Sequence, residues 1–131
     1  MTGYFDGQRH PQYALLPRVI YLAEEGDTLI GYIAGHLTRR YGCEGELQWI
    51  YVMTKRRRCG VASELLRRLA GWFKEQKASR VCVNVGPENS VARSFYTRLG
   101  AEQLNRHWLA WNQIGILVGQ CKSASTPIGL E

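Results

Sequence analysis

The densest chemistry in the chain lies in Val52-Met53-Thr54-Lys55-Arg56-Arg57-Arg58-Cys59-Gly60-Val61-Ala62-Ser63. Four consecutive cations are followed closely by a glycine and by the small side chains of Ala62 and Ser63, where a helical pattern opens. At a helix start the backbone N–H groups have no intrahelical acceptor, and the aligned peptide dipoles add a partial positive charge. Small residues let an anion approach that backbone, so the combination suits a pyrophosphate. On charge alone, a Lys-Arg run fits a solvated face or a nucleic-acid contact equally well. The glycine and small residues separate these readings: close phosphate approach needs them and a nucleic-acid patch does not.

Those residues need a strand before them and a helix after them. With 131 residues, 45% of them hydrophobic and 21% charged, the chain has the size and composition of one folded domain, residues 1–131. Residues 1–17 carry Pro11, Pro17, Gly3 and Gly7 and read as an irregular lead-in with one turn near residues 12–16, and residues 119–131 read as a fraying tail. Residues 18–23 and 28–38 are rich in β-branched, aromatic and aliphatic side chains about the turn Glu24-Glu25-Gly26-Asp27, which predicts a hairpin. A third strand follows over residues 46–53, and its unbroken run Trp49-Ile50-Tyr51-Val52 predicts burial on both faces.

From Val61 the period becomes helical, with Val61, Leu65, Leu69, Trp72 and Phe73 on one side. Residues 80–85 form a short strand; Asn89 then caps a second helix that Gly100 ends, with Val91, Phe95 and Leu99 facing the core. Residues 101–105 and 107–114 close the domain as an antiparallel pair. Trp108, Leu109, Trp111 and Ile114 in that last segment serve either the core or a homodimer interface. The element order predicts an α/β (mixed α+β) fold: a mixed sheet containing a βαβ unit, with helices on its faces.

Seventeen Lys and Arg against eleven Asp and Glu leave a net charge of +6, which favours an anionic partner. Cys43, Cys59, Cys82 and Cys121 form no CxxC pair and no zinc-type cluster, and the start carries no signal-peptide pattern, so reduced thiols in a cytoplasm are expected. No apolar run approaches the roughly 20 residues of a membrane span, and no metal-ligand set is expected. There is no Ser-His-Asp order and no paired-carboxylate motif to suggest another enzyme mechanism.

The basic loop, taken with a second block, resembles the GNAT N-acetyltransferases, which use acetyl-CoA. Arg57-Arg58-Cys59-Gly60-Val61-Ala62 is similar to the family's Arg/Gln-x-x-Gly-x-Gly/Ala pyrophosphate loop, with Ile50-Tyr51-Val52 at the end of the strand before it. Asn89-Ser90-Val91-Ala92-Arg93-Ser94-Phe95-Tyr96, then Leu99-Gly100-Ala101, resembles the family's Asn-x-x-Ala-x-x-Phe-Tyr helix. The likeness covers roughly residues 19–114 and implies a central, mostly antiparallel sheet. It also implies that the amides from Arg58 through Cys59, Gly60, Val61 and Ala62 to Ser63 bind the CoA pyrophosphate. Ile50, Tyr51 and Val52 would pair with the pantetheine arm where two strands splay, and a backbone N–H near Val52 would meet the oxyanion. An acceptor amine, on a small molecule or a peptide, then attacks the thioester directly.

By the same resemblance Tyr96 protonates the departing thiolate, or else packs beside Phe95, and Asn89 contacts CoA, caps its helix, or does both. Glu46 is the implied base; Glu44, His36 and His107 are other residues able to take a proton, and water can carry it instead. Three features depart from the family pattern. The usual first strand and helix pair are shortened, which opens the acceptor cleft or leaves it to residues such as Tyr4, Phe5 and Tyr13 or to a partner subunit; Thr54 stands where proline is common, and Ala62 replaces the last glycine. Cys59 adds a thiol near the helix start, as a reactive group or a small filler. Two alternatives stay open: a non-catalytic acyl-CoA-binding module of the same fold, and a basic nucleic-acid binder using Arg39, Arg40 and residues 55–58.

Overall fold

The computed structural model describes residues 17–57 and 59–120; residues 1–16 of the lead-in, Arg58 and residues 121–131 lie outside the described part, with the expectations attached to them. Strands β1 (Arg18–Glu25), β2 (Thr28–Leu37) and β3 (Gly45–Val52) are followed by helix α1 (Val61–Glu75) and strand β4 (Val81–Asn84). Helix α2 (Ser90–Arg98) and strands β5 (Glu102–Asn105) and β6 (Trp108–Trp111) complete the sheet. The strand order is β1-β2-β3-β4-β6-β5. Only β3 and β4 run parallel; every other neighbouring pair is antiparallel. The expected mixed, mostly antiparallel sheet with one βαβ unit is what the chain forms.

Both helices contribute to one buried cluster. Helix α1 supplies Val61, Leu65, Leu66, Leu69, Ala70 and Phe73, α2 supplies Tyr96, and the strands supply residues such as Ile33, Leu47, Val81, Val83, Leu109 and Trp111. Glycines in the strands let α1 come close: a Cβ on Gly35 would stand 2.9 Å from Leu69 Cδ1, and one on Gly45 would strike the Phe73 ring. On the opposite face Cys43, Cys82, Trp108 and Ala110 form a second, smaller cluster. Trp111 and Ile114 belong to the main core, so the last segment serves the interior rather than the alternative of an interface.

Three local expectations are corrected, and one loop gains a turn. Strand β3 is not buried on both faces, since Trp49 is 56% and Tyr51 42% exposed. Val91 is 80% exposed; the inward stripe of α2 is Ala92, Phe95, Tyr96 and Leu99, the i, i+3, i+4, i+7 set that a short helix can turn to the core. The closing strand stops at Trp111, and Ile114–Gln120 instead winds as a 3-10 segment, anchored by Ile114 N–H donating to Ser79 O at 2.9 Å. The loop before β3 contains a 3-10 turn, Arg40–Gly42, in which Tyr41 holds a positive φ of 55°.

Glu44 fastens that loop to β4. Its Oε1 accepts N–H bonds from Ser79 at 2.6 Å and Arg80 at 3.2 Å, and these bonds hold its carboxyl below the ordinary 4.5. A group whose folded pKa is lowered contributes stability above its unfolded pKa and loses it as pH falls. The stability difference between wild type and Glu44→Gln, measured by denaturant unfolding, should therefore shrink as pH falls from about 5 to 3. A Gly45→Ala variant should lose about 1–3 kcal/mol in the same measurement at neutral pH, because the buried Phe73 ring has to move.

Candidate active site

Strand β3 changes its relation to both neighbours midway. Ala34 pairs with Trp49 but Gly35 pairs with Leu47, so Gln48 is the extra residue of a β-bulge. The bulge resets the alternation: Gly45 and Leu47 face α1 before it, Ile50 and Val52 after it, and Trp49 and Tyr51 point the other way. That reset is the physical reason an unbroken apolar run is half exposed. The parallel ladder to β4 ends at Leu47 and Val83. Beyond it β4 follows β6, through Asn84 opposite Trp108 and Val85 N–H donating to His107 O at 2.8 Å.

Residues 48–52 therefore have no strand on the β4 side among the described residues. Met53 N–H donates across to Ile30 O at 2.8 Å, so strand alternation turns the backbone groups of Ile50 and Val52 towards the opening and those of Tyr51 towards β2. Of the three residues expected to pair with a ligand arm, Ile50 and Val52 offer backbone groups there, while Tyr51 offers its side chain, stacked at 5.5 Å on Tyr32. Arg57 bends back so that its Nε donates to Val52 O at 2.9 Å, which occupies one of the open carbonyls. Arg56 is engaged too, its Nε donating to Glu25 Oε1 at 2.7 Å on the β1–β2 hairpin.

The loop then reaches Gly60, whose φ of 85° lies in the left-handed region, and no atom lies within 4 Å of where a Cβ would sit. Here glycine is used for its conformation. Helix α1 starts at Val61 with no side-chain cap, and the first helical bond is Glu64 N–H to Gly60 O at 3.0 Å. The amides of Val61, Ala62 and Ser63 precede that bond and remain available to an anion. Glu64, an acidic residue in this first turn, is neutralised by Arg67 and Arg68. Cys59 is exposed and free.

Asn89 is the cap expected of it, its Oδ1 accepting from Ala92 N at 3.1 Å. Tyr96 is 5% exposed, edge-on to Trp111 at 5.6 Å and beside Phe95 at 5.4 Å, in the cluster that also holds Val52, Val61 and Val85. Burial pushes its phenol up to about 12, so it keeps its proton throughout the neutral range.

Glu46 is the one buried charged residue among the described residues. Its Oε1 lies 3.3 Å from Arg40 Nε and 3.7 Å from His36 Nε2. Arg40 also sits over the Trp108 ring, 4.9 Å from its centre. Of the other proton-accepting residues, Glu44 is committed to its two amides and His107 is on the surface. Sequence reasoning gave Arg40 only a nucleic-acid role and missed its pairing with Glu46, six positions on across an irregular loop; it also missed the bulge at Gln48, for which an apolar run gives no sign. The described residues contain no metal-binding cluster and no helix long and apolar enough to cross a membrane.

No curated protein sequence matches this chain. Among solved structures, the fold is similar to that of an acetyltransferase from Bacillus cereus ATCC 14579, at 16% identity and a TM-score of 0.64 over 83% of this chain and 89% of that one. It is also similar to the PaiA N-acetyltransferase of Thermoplasma acidophilum, solved in complex with coenzyme A, at 20% identity and 0.64 over 72% and 60%. A GNAT-family acetyltransferase from Staphylococcus aureus Mu50 aligns at 16% identity and 0.63 over 72% and 67%. The model of the acetyltransferase (GNAT) family matches residues 3–101, well over half of the chain. This chain belongs to the GNAT acetyltransferase family, whose acyl donor is acetyl-CoA.

Proposed function

We propose that this protein transfers an acetyl group from acetyl-CoA to a primary amine, which attacks the thioester directly. The observation that carries the reading is the unpaired β4-side edge of β3, which leads through a short loop to an uncapped helix start. These two features fit the two halves of the donor. The Ile50 and Val52 backbone groups suit an extended amide-bearing arm, and the amides of residues 59–63, opened by Gly60, suit a pyrophosphate. Arg57 holds the end of the strand against the loop through Val52 O, keeping the two halves in register. Exposed Lys55 adds positive charge beside them. Arg58 and Asn89 complete the proposed donor contacts.

Bound acetyl-CoA supplies the acyl carbon that the amine attacks and a thiolate that can leave. The Val52 or Ile50 N–H, aimed into the opening, donates to the carbonyl oxygen as negative charge gathers there. Glu46, directly or through water, takes the proton that the acceptor nitrogen must lose. Tyr96 donates its retained proton to the departing sulfur. The acceptor is a small-molecule or peptide amine, and the three free cysteines among the described residues fit action in a reducing cytoplasm. The nucleic-acid alternative loses support because Arg40 and Arg56 are paired with carboxylates and Arg57 with a carbonyl.

Replacement of Tyr96 by Phe keeps the ring that packs on Trp111 and removes only the hydroxyl that carries the proton. Tyr96→Phe should lower kcat on the order of a hundredfold while the KM for acetyl-CoA stays near the wild-type value, read as CoA thiol release with a competent amine. Unchanged thiol release would contradict the assigned role. Acetyl-CoA binding without turnover by wild type across a broad amine panel would favour the non-catalytic module. Because the phenol is shifted upward, any loss of wild-type rate below about pH 10 must come from another group.

A further inference from the structure

Strand registers place four side chains in one row across the sheet. Arg18 lies opposite His36, His36 opposite Glu46, and Glu46 opposite Cys82. Directly opposite residues share a face, so the row lies on the side of the sheet away from α1. Within it the neutral form of His36 is held in one tautomer. Its Nδ1 stands 2.7 Å from Leu37 O, and a carbonyl oxygen only accepts, so Nδ1 must carry the proton. The neutral ring then presents the bare lone pair of Nε2 towards Glu46 Oε1, 3.7 Å away. A lone pair facing a carboxylate is an unfavourable arrangement that one added proton turns into an ion pair.

We propose that His36 is a positioning and proton-relay residue for Glu46: the proton that Glu46 takes from the acceptor passes to His36 Nε2. This rests on the proposal that Glu46 is the base. In the step, the N–H bond of the acceptor breaks and its electron pair stays on nitrogen. The proton reaches a Glu46 carboxylate oxygen, the Nε2–H bond then forms, and His36 becomes an imidazolium whose Nδ1–H still bonds Leu37 O. Solvent finally removes the proton.

The charges around the pair favour this destination. Arg40 Nε sits 3.3 Å from the same Glu46 oxygen, so a proton kept on Glu46 would cancel that ion pair, whereas a proton on His36 leaves the carboxylate charged between two cations. Both side chains are largely covered, His36 at 16% and Glu46 at 12% exposure, which limits screening by water. The other titratable or charged groups facing the pair are Arg18 on β1, and Cys82 on β4 with Cys43 packed against it.

The test uses the full chain. Long-range 1H–15N spectra of wild type should show the neutral His36 ring protonated on Nδ1, and Glu46→Gln should move the Nε2 signal. A neutral ring protonated on Nε2, or an Nε2 signal indifferent to Glu46→Gln, overturns the relay whether or not an acceptor is known. In turnover assays His36→Gln should lower kcat about ten- to hundredfold with KM for acetyl-CoA unchanged, and should change the dependence of kcat on pH. A wild-type pH profile in an active His36→Gln variant overturns the relay and leaves the acetyltransferase reading standing. Absence of wild-type turnover with every amine overturns that reading and the relay with it.

Discussion

The parting of β3 from β4 after Leu47 and Val83 is the constraint on which the rest of the site depends. Unpaired backbone groups inside a sheet are costly unless water or a ligand meets them, so a chain that keeps such an edge must hold the strands apart by other means. Here each strand is fixed on its far side. Strand β3 is paired along its length with β2, and glycines at positions 35 and 45 draw α1 onto the sheet. Strand β4 stays with β6 to its last residue. The opening is thus a consequence of good packing on both flanks rather than of weakness between them.

The charge of the basic loop is used differently from what its composition suggests. Arg56 is engaged with Glu25, and Arg57 with the Val52 carbonyl, so these guanidinium groups shape the loop. The surface left for an anion is mostly backbone: Gly60 in a left-handed conformation and the first amides of α1. A site of that kind recognises a compact phosphate group at a fixed place, whereas a flexible cationic patch attracts any polyanion. On the other side of the sheet His36 and Glu46 in the strand row, with Arg40 from the turn before β3, concentrate the polar chemistry next to a strand whose outer face carries exposed Trp49 and Tyr51.

Much of this was legible in the residues. The helical period from Val61, the Asn89 cap and the hairpin about Gly26 each have a local cause, and local causes survive folding. The loop and the Asn89–Tyr96 block together are specific enough to mark the family from the sequence alone. What the sequence hid depended on register. A bulge at Gln48 has no residue signature, yet it decides which aromatic side chains are exposed. Val91 and Tyr96 are both apolar enough for a core, and only packing on Trp111 selects Tyr96. The meeting of His36, Arg40 and Glu46 needs two strands and a turn to be aligned, which no spacing reveals.

The central claim is that the open edge of β3 and the start of α1 form one continuous donor site. Backbone amide 1H–15N spectra during titration with acetyl-CoA, set against an equal concentration of ATP at the same ionic strength, test it most directly. The account predicts large changes at Ile50, Val52 and residues 59–63 with acetyl-CoA, and changes confined to the loop and helix start with ATP. Unmoved Ile50 and Val52 amides, or the same response to both ligands, would contradict it and leave the loop as a general anion site.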